Sequence, residues 1–376
     1  MTTSSHDVIV VGAGIVGAAC ALECAQRGMR VTVLDRDVIG GGATAAGMGH
    51  IVVMDDSPAQ FALTQYSRQL WNELRAELPP DVEFERCGTI WVAADEEEME
   101  EVRRKHTYYL ARGVNAGIVN SGELEILEPS LRRGLAGGLL VPDDGVLYPP
   151  RAAGFLIERA RAKGATLHPG KTVQRIGRGC IRLSDGSELS AGFIVNATGA
   201  WAPELTPGLE IRKRKGHLVI TDRYPGFVRH QLVELGYLKS AHSISSDSVA
   251  FNVQPRKTGQ VLIGSSRQYG VESAEVETEI TAKMLRRAQF YMPGLAQLSA
   301  IRAWTGFRPA TPDKLPLIGP SPEDPSVYIA AGHEGLGITT SLATGRLIVD
   351  QLSGTVSPIP VEPYLPSRAV QEPSHV

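Results

Sequence analysis

The chain has 376 residues, 43% of them hydrophobic and 21% charged, with a formal net charge of −3. That length exceeds one ordinary core and predicts two domains, and 38 basic against 41 acidic residues leave no basic stripe for a polyanion, which argues against nucleic-acid binding. The opening residues lack the pattern of a cleaved signal and no apolar run is long enough to span a bilayer, so no integral membrane segment and a cytoplasmic location are expected.

In chain order, Asp7 to Val11 is a β-branched apolar run that predicts a buried strand. Gly12, Gly14 and Gly17 follow with the spacing of a dinucleotide fingerprint: one glycine for the tight turn, one for close approach to a pyrophosphate, one for helix–strand packing. Ile15 to Arg27 predicts a helix whose N-terminal N–H groups face the phosphates, Met29 to Leu34 a second strand, and Asp35 a carboxylate for the adenosine ribose. An acid there argues against a 2′-phosphate but does not separate NAD from FAD.

Residues 36–50, with Gly40, Gly41, Gly42, Gly47 and Gly49, are too small-sided for a core element. They suit an irregular loop laid on a flat ligand, or a mobile surface loop. Helices are predicted over Pro58 to Leu78, Asp95 to Arg112 and Arg151 to Lys163, a strand over Cys87 to Ala93, and a turn-rich segment around Leu124 to Pro129. Short antiparallel strands follow from Val173 to Leu189. Ile194 and Val195 form a strand that ends in the small-residue turn Asn196–Gly199.

Residues 212–270 alternate short apolar runs with turns and predict an antiparallel sheet; Ser273 to Ala288 predicts a helix. RAWTGFRPATPDKLPLIGPS reads as a Pro- and Gly-rich loop around Trp304, Phe307 and Arg308. A second strand–glycine turn–helix unit closes the ordered part, its helix from about Thr339 to Leu352, before a loose proline-rich tail. Cys20, Cys24, Cys87 and Cys180 form no CxxC pair and the nine histidines show no ligand-like spacing, so no metal is expected. No nucleophile–base–acid set argues for hydrolysis.

The segments VIVVGAGIVGAACALECAQRGMRVTVLD, GGGATAAG, IVNATGAWAPEL, GFRPATPDKLPLIG and AAGHEGLGITTSLATG occur in an order that resembles the FAD-dependent amine and D-amino-acid oxidoreductases, the family of glycine oxidase, sarcosine oxidase and D-amino-acid dehydrogenase. Within it, GGGATAAGMGHIVVMDDS resembles the catalytic β subunit of bacterial D-hydroxyproline dehydrogenase. The resemblance implies an α/β fold: a Rossmann-like, glutathione-reductase-like FAD-binding domain over residues 1–80, 145–205 and 300–365. A second α+β substrate domain on an antiparallel sheet covers 81–144 and 206–299, and 366–376 is a loose tail.

It further implies that Gly12, Ala13, Gly14, Ile15, Val16 and Gly17 surround the pyrophosphate of FAD, with Asp35 on the ribose and Arg36 beside it. Thr44, Ala45 and Ala46 run along the pyrophosphate and ribityl chain; Met48, Gly49 and His50 approach the ring; Val173 holds the adenine; Thr198, Gly199 and Gly306 line the channel. Gly335, Leu336, Gly337, Ile338 and Thr339 face the pyrimidine end, where helix-terminal N–H groups stabilise the charge of reduction. Phe307 stands where sarcosine oxidase-like relatives carry the cysteine that attaches flavin, so FAD is expected to be non-covalent. Leu262 stands where those relatives carry a lysine near the flavin, which favours a dehydrogenase over a fast oxidase.

Arg308 is the implied carboxylate clamp, positioning a substrate's Cα–H for hydride transfer to flavin N5, with a structural arginine as the alternative. His50 is a candidate for orienting substrate or a ring atom, and His333 and Glu334 for touching a substrate hydroxyl or anchoring their loop. Tyr148 and Tyr237 are candidates for closing the pocket, and Asn252 for facing the flavin. The implied substrate is a small D- or N-substituted amino acid, cis-4-hydroxy-D-proline first, with a broader D-amino-acid dehydrogenase or a glycine, sarcosine or D-proline oxidase as alternatives. An NAD enzyme and a flavin-binding subunit without activity are the readings outside that class. The electron acceptor is not identified by the sequence. Members of the subgroup associate with smaller subunits, which makes such subunits candidate partners.

Overall fold

A computed structural model describes residues 6–236 and 247–368. Two large sheets organise them. In the first, the strands lie in the order Leu317–Pro320, Val327–Ala331, Glu188–Asn196, His6–Val11, Val31–Asp35 and Thr166–Pro169. All neighbours are parallel except the antiparallel edge strand Leu317–Pro320. Strands Val173–Gly177 and Cys180–Leu183 add an antiparallel meander onto Glu188–Asn196.

The central strand is buried on both faces, one under the helices Ile15–Gln26, Pro149–Ala162 and Gly337–Ser353 and the other under the meander, which is why its sequence is continuously apolar rather than alternating. The helix Ile15–Gln26 is lined with Ala18, Ala19, Cys20 and Ala21, all fully buried. Small side chains allow close helix contact: a Cβ on Gly345 of the helix Gly337–Ser353 would lie 2.7 Å from the Ala19 carbonyl oxygen.

The second sheet runs Ala300–Ala310, Arg212–Arg223, Gln260–Tyr269, Ser248–Pro255, Gln231–Glu234, Thr89–Ala93, Gly137–Val141 and Gly117–Asn120. It is antiparallel except where Gln231–Glu234 pairs parallel with Thr89–Ala93. Alternation divides its faces. Ile90, Val92, Leu232, Phe251, Val253 and Ile263 pack with Met284 and Tyr291 of the helix Thr278–Tyr291. Their neighbours Trp91, Val233, Asn252 and Leu218 point the other way, toward the first domain.

Several expectations are corrected. RAWTGFRPA is not a loop but most of the strand Ala300–Ala310, paired along Arg212–Arg223; the segment from residue 300 therefore begins in the second sheet. It tolerates Pro309 because it is the sheet's edge strand. Residues 121–127 form a helix, not a turn-rich segment, started by a capping box between Asn120 and Glu123. The helix expected over Pro58 to Leu78 ends at Leu74 and continues as a 3₁₀ turn. The tail is not loose at its start: Arg368 grips Asp313 through two nitrogens, at 2.7 and 2.9 Å. Residues 369–376 and Tyr237 lie outside the described residues.

Candidate active site

One continuous cavity of about 390 Å³ runs between the two sheets. At one end Gly12 turns at φ 107°, and a Cβ there would lie 2.5 Å from the Ala197 carbonyl oxygen. On Gly17 it would lie 1.9 Å from the Gly12 oxygen. Both positions require glycine: Gly12 leaves backbone facing the cavity, and Gly17 lets the helix pack directly behind that turn. The Ala13 N–H donates to Asp35 Oδ2 at 2.5 Å and the Ile15 N–H to Thr44 Oγ1 at 3.0 Å, which ties the glycine turn to the second strand and to the loop after it. The helix Ile15–Gln26 has no side-chain cap. With the Ile15 N–H taken by Thr44, the remaining N–H groups of the first turn are available to a phosphate. Arg36 stacks over Trp201, 4.6 Å from the ring centroid, and both line this end with Asp35, Val173, Thr198 and Gly199.

The cavity then passes Thr44, Ala46 and Met48 to a chamber bounded by His50 and the turn Gly335–Ile338. Close packing shapes the passage: a Cβ on Gly306 would lie 2.3 Å from Ala46 Cβ. The Thr339 hydroxyl donates to the His50 carbonyl oxygen at 2.8 Å and Trp71 Nε1 to that of Ile338 at 3.2 Å, so the two loops are fastened together. The Gly335 N–H donates to Glu334 Oε2 and the Leu336 N–H to the His333 carbonyl oxygen. This leaves Gly337, Ile338 and Thr339 as the residues whose N–H groups lack a partner within the helix.

Positive charge dominates one side of the chamber. Arg214, Arg267 and Arg308 line it together with Glu334, whose Oε1 accepts from Arg214 Nη1 at 2.7 Å, and Asp56 lines the cavity as well. Burial alone would raise the Glu334 pKa, but the arginines outweigh it and hold it at about 2. Burial pushes Arg308 down from its ordinary value and Arg267 down to about 9. Arg308 Nη1 donates to the Ser266 carbonyl oxygen at 3.0 Å. The guanidinium has room only because residue 216 is glycine: a Cβ there would lie 2.2 Å from Nη1.

Opposite stands a polar chain. Gln231 Nε2 donates to Thr89 Oγ1 at 3.1 Å, and Gln231 Oε1 lies 2.5 Å from His50 Nδ1. His50 Nε2 lies 3.3 Å from Asn252 Nδ2. Burial, with a smaller push from Arg308, lowers the His50 pKa to about 4, so the ring is neutral. It donates from Nδ1 and accepts at Nε2.

Of the residues singled out from sequence, Gly12, Gly14, Ile15, Val16, Asp35, Arg36, Thr44, Ala46, Met48, His50, Val173, Thr198, Gly199, Asn252, Gly306, Arg308, His333 and Glu334 line the cavity, as do Gly335, Leu336, Gly337 and Ile338. Ala13, Gly17, Gly49 and Thr339 lie behind the wall and act through the contacts of their neighbours. Ala45 faces outward and Tyr148 is 42% exposed beyond the wall, capping the helix Pro149–Ala162. His333 Nε2 is engaged by Thr344 Oγ1 at 3.0 Å. Leu262 packs with Met48 and Leu218. None of the four cysteines lines the cavity, and among the described residues no group of His, Cys, Asp or Glu assembles to hold a metal.

Sequence reasoning missed Arg214, Arg267, Gln231, Trp91 and Gly216. No local pattern marks them: Arg214 sits in the charged run 212–215, Arg267 in the polar run 265–268, and Trp91 and Gly216 are not polar.

A glycine cradle at a helix start, a ribose-facing acid and a channel leading to a cationic chamber define a dinucleotide-dependent oxidoreductase with a separate substrate sheet. The DAO family, described as FAD dependent oxidoreductase, matches residues 7–351; the chain belongs to that family and its cofactor is FAD. Glycine oxidase from Geobacillus kaustophilus is 28% identical over 98% of this chain and 98% of that protein. Its crystal structure superposes with a TM-score of 0.88 over 98% of this chain and 100% of that one. Hydrogen cyanide synthase subunit HcnC from Pseudomonas aeruginosa is 29% identical over 99% of this chain and 98% of that protein. The fold is shared by L-proline dehydrogenase from P. horikoshii, with a TM-score of 0.85 at 24% identity over 96% and 97% of the two chains.

Proposed function

We propose that this protein oxidises the Cα–N bond of a small D- or N-substituted amino acid, with cis-4-hydroxy-D-proline as first candidate and its 4-hydroxy-Δ1-pyrroline-2-carboxylate as product. The observation that carries this reading is Arg308, half-buried at the cavity wall and confined by Gly216 and the Ser266 carbonyl. A planar guanidinium there holds a carboxylate in a fixed orientation. FAD supplies the acceptor for the hydride that leaves Cα.

The nitrogen lone pair forms the C=N bond as hydride leaves Cα, so the substrate reacts as the neutral amine, and the iminium so formed gives its N–H proton to solvent to yield the imine. Arg308 and the second-sheet face fix its orientation, and positioning carries much of the rate. The names of the relatives, a glycine oxidase and a subunit of hydrogen cyanide synthase, support an amino-acid substrate and partner subunits. Among the described residues no helix is long and apolar enough to cross a membrane. With none of the four cysteines at the cavity, FAD is held non-covalently. Leu262 in place of a lysine favours electron delivery to an acceptor other than oxygen.

The test is anaerobic flavin reduction by cis-4-hydroxy-D-proline, D-proline, D-alanine, glycine and sarcosine, followed by turnover with oxygen and with an artificial acceptor. Fast reduction by the cyclic D-imino acids with slow oxygen use is expected. Reduction by glycine or sarcosine alone, or fast oxygen consumption, favours the oxidase alternatives; no reduction by any of the five overturns the reading.

A further inference from the structure

Trp91, Val233 and Asn252 lie in one cross-strand row: Trp91 pairs in register with Val233, and Val233 with Asn252. Their flanking residues Ile90, Leu232, Phe251 and Val253 enter the opposite core, so the row faces the cavity, which all three line. Trp91 is 3% and Asn252 8% exposed, yet indole Nε1 and carboxamide Oδ1 have no hydrogen-bond partner. Buried polar groups are normally paired, and two orphans on side chains that line a ligand cavity point to a ligand that reaches them once those side chains settle around it.

The polarity of each orphan is fixed. An indole N–H only donates. Gln231 donates to Thr89, so its oxygen accepts from His50 Nδ1–H; His50 Nε2 therefore accepts from Asn252 Nδ2. Oδ1 is left as an acceptor. Neither group is free to turn away. Lys105 Nζ sits 4.9 Å from the Trp91 ring centroid and is itself paired with buried Asp55. Asn252 is held by His50.

Strands two apart are separated by about 10 Å, and the width of an indole narrows that gap above the small Val233. A group placed there meets one donor and one acceptor. A carboxylate cannot donate, an ammonium cannot accept, an aliphatic carbon does neither, and the substrate's neutral amine has its lone pair committed to the forming C=N bond. A hydroxyl does both and is the smallest substituent that does.

We propose that Trp91 and Asn252 form a hydroxyl-recognition subsite, so that the preferred substrate carries a hydroxyl on its carbon skeleton away from the carboxylate. This rests on Arg308 as the carboxylate clamp and adds the group read at the other end. A site built to bond a hydroxyl rejects the analogue lacking it, because its own polar groups are then buried unpaired.

The test compares matched pairs on the FAD-loaded enzyme, cis-4-hydroxy-D-proline against D-proline and D-serine against D-alanine, by anaerobic flavin reduction. The wild type is expected to favour at least one hydroxylated member by tenfold or more in kcat/KM. Trp91→Phe and Asn252→Leu each bring that ratio toward one by lowering kcat/KM for the hydroxylated member, with FAD content and visible spectrum unchanged. Equal use of both members by the wild type overturns the subsite but leaves amine oxidation standing. So do equal losses on both members in the variants, and a changed flavin spectrum or affinity, which would assign the two groups to the cofactor. No reduction by any of the four overturns both readings.

Discussion

Arg214 and Arg308 stand directly opposite each other on neighbouring antiparallel strands, with Glu334 bonded to the first and lowering the field around both. Like charges in register destabilise a sheet. They persist here because a carboxylate arrives from the turn before the last helix, and because a second anion, the proposed substrate carboxylate, completes the balance. Glu334→Gln leaves the arginines without their fixed countercharge. We expect a loss of about 3 kcal/mol in unfolding free energy by urea denaturation, the scale for removing one member of a buried ion pair. A carboxylate ligand should restore more stability to the variant than to the wild type.

Gly216 sets the geometry of the clamp. Alanine there would place Cβ 2.2 Å from Arg308 Nη1, so the guanidinium must move. Gly216→Ala should raise KM for the amino-acid substrate at least tenfold. FAD content should remain that of the wild type, because residue 216 lies on the second sheet, away from the glycine cradle. Steady-state kinetics beside the flavin-to-protein absorbance ratio separate the two effects.

The nucleotide half was legible because its chemistry is local: Gly12, Gly14, Gly17 and Asp35 sit within one strand–helix–strand unit, each with its own steric reason. The substrate half was less so. Arg308 was visible only through family resemblance, within a segment whose Gly306 and Pro309 read as a loop. Its role as an edge strand depends on Arg212–Arg223, far away in sequence. Trp91, Val233 and Asn252 belong to different strands, and only register brings them to one row, with Gln231 two residues before Val233 on the same face. No spacing along the chain encodes that.

Gly12 tests the cradle. Its φ of 107° is strained for alanine, and the added Cβ would meet the Ala197 carbonyl oxygen at 2.5 Å. Gly12→Ala should therefore shift the turn against the strand Glu188–Asn196 and close the approach to the pyrophosphate. Purified protein should carry less than about a tenth of the wild-type flavin, read from its visible absorbance, since backbone proximity at this glycine is what admits a dinucleotide. Full flavin loading would sink the cradle.

His333 gives the fold a dependence on pH whose sign can be worked out. Burial lowers its pKa to about 3, against 6.5 when unfolded. Between those values the unfolded chain binds a proton that the folded chain does not, so stability is present above about pH 6.5 and is lost as pH falls. The slope approaches 1.4 kcal/mol per pH unit, or about 2 kcal/mol between pH 6.5 and pH 5. His50, lowered to about 4, acts in the same direction. Asp144, raised to about 6 by burial against the pull of Arg68, acts in the opposite one and gains stability as pH falls toward its unfolded value. The His333 share is isolated by His333→Gln, whose amide can still donate to Thr344 Oγ1 but does not titrate. Urea unfolding at pH 7.5, 6.5 and 5 should show the variant losing about 2 kcal/mol less than the wild type over the lower interval. Parallel curves for the two proteins would mean that His333 is charged in the folded chain, and that the turn carrying Glu334 is open to water.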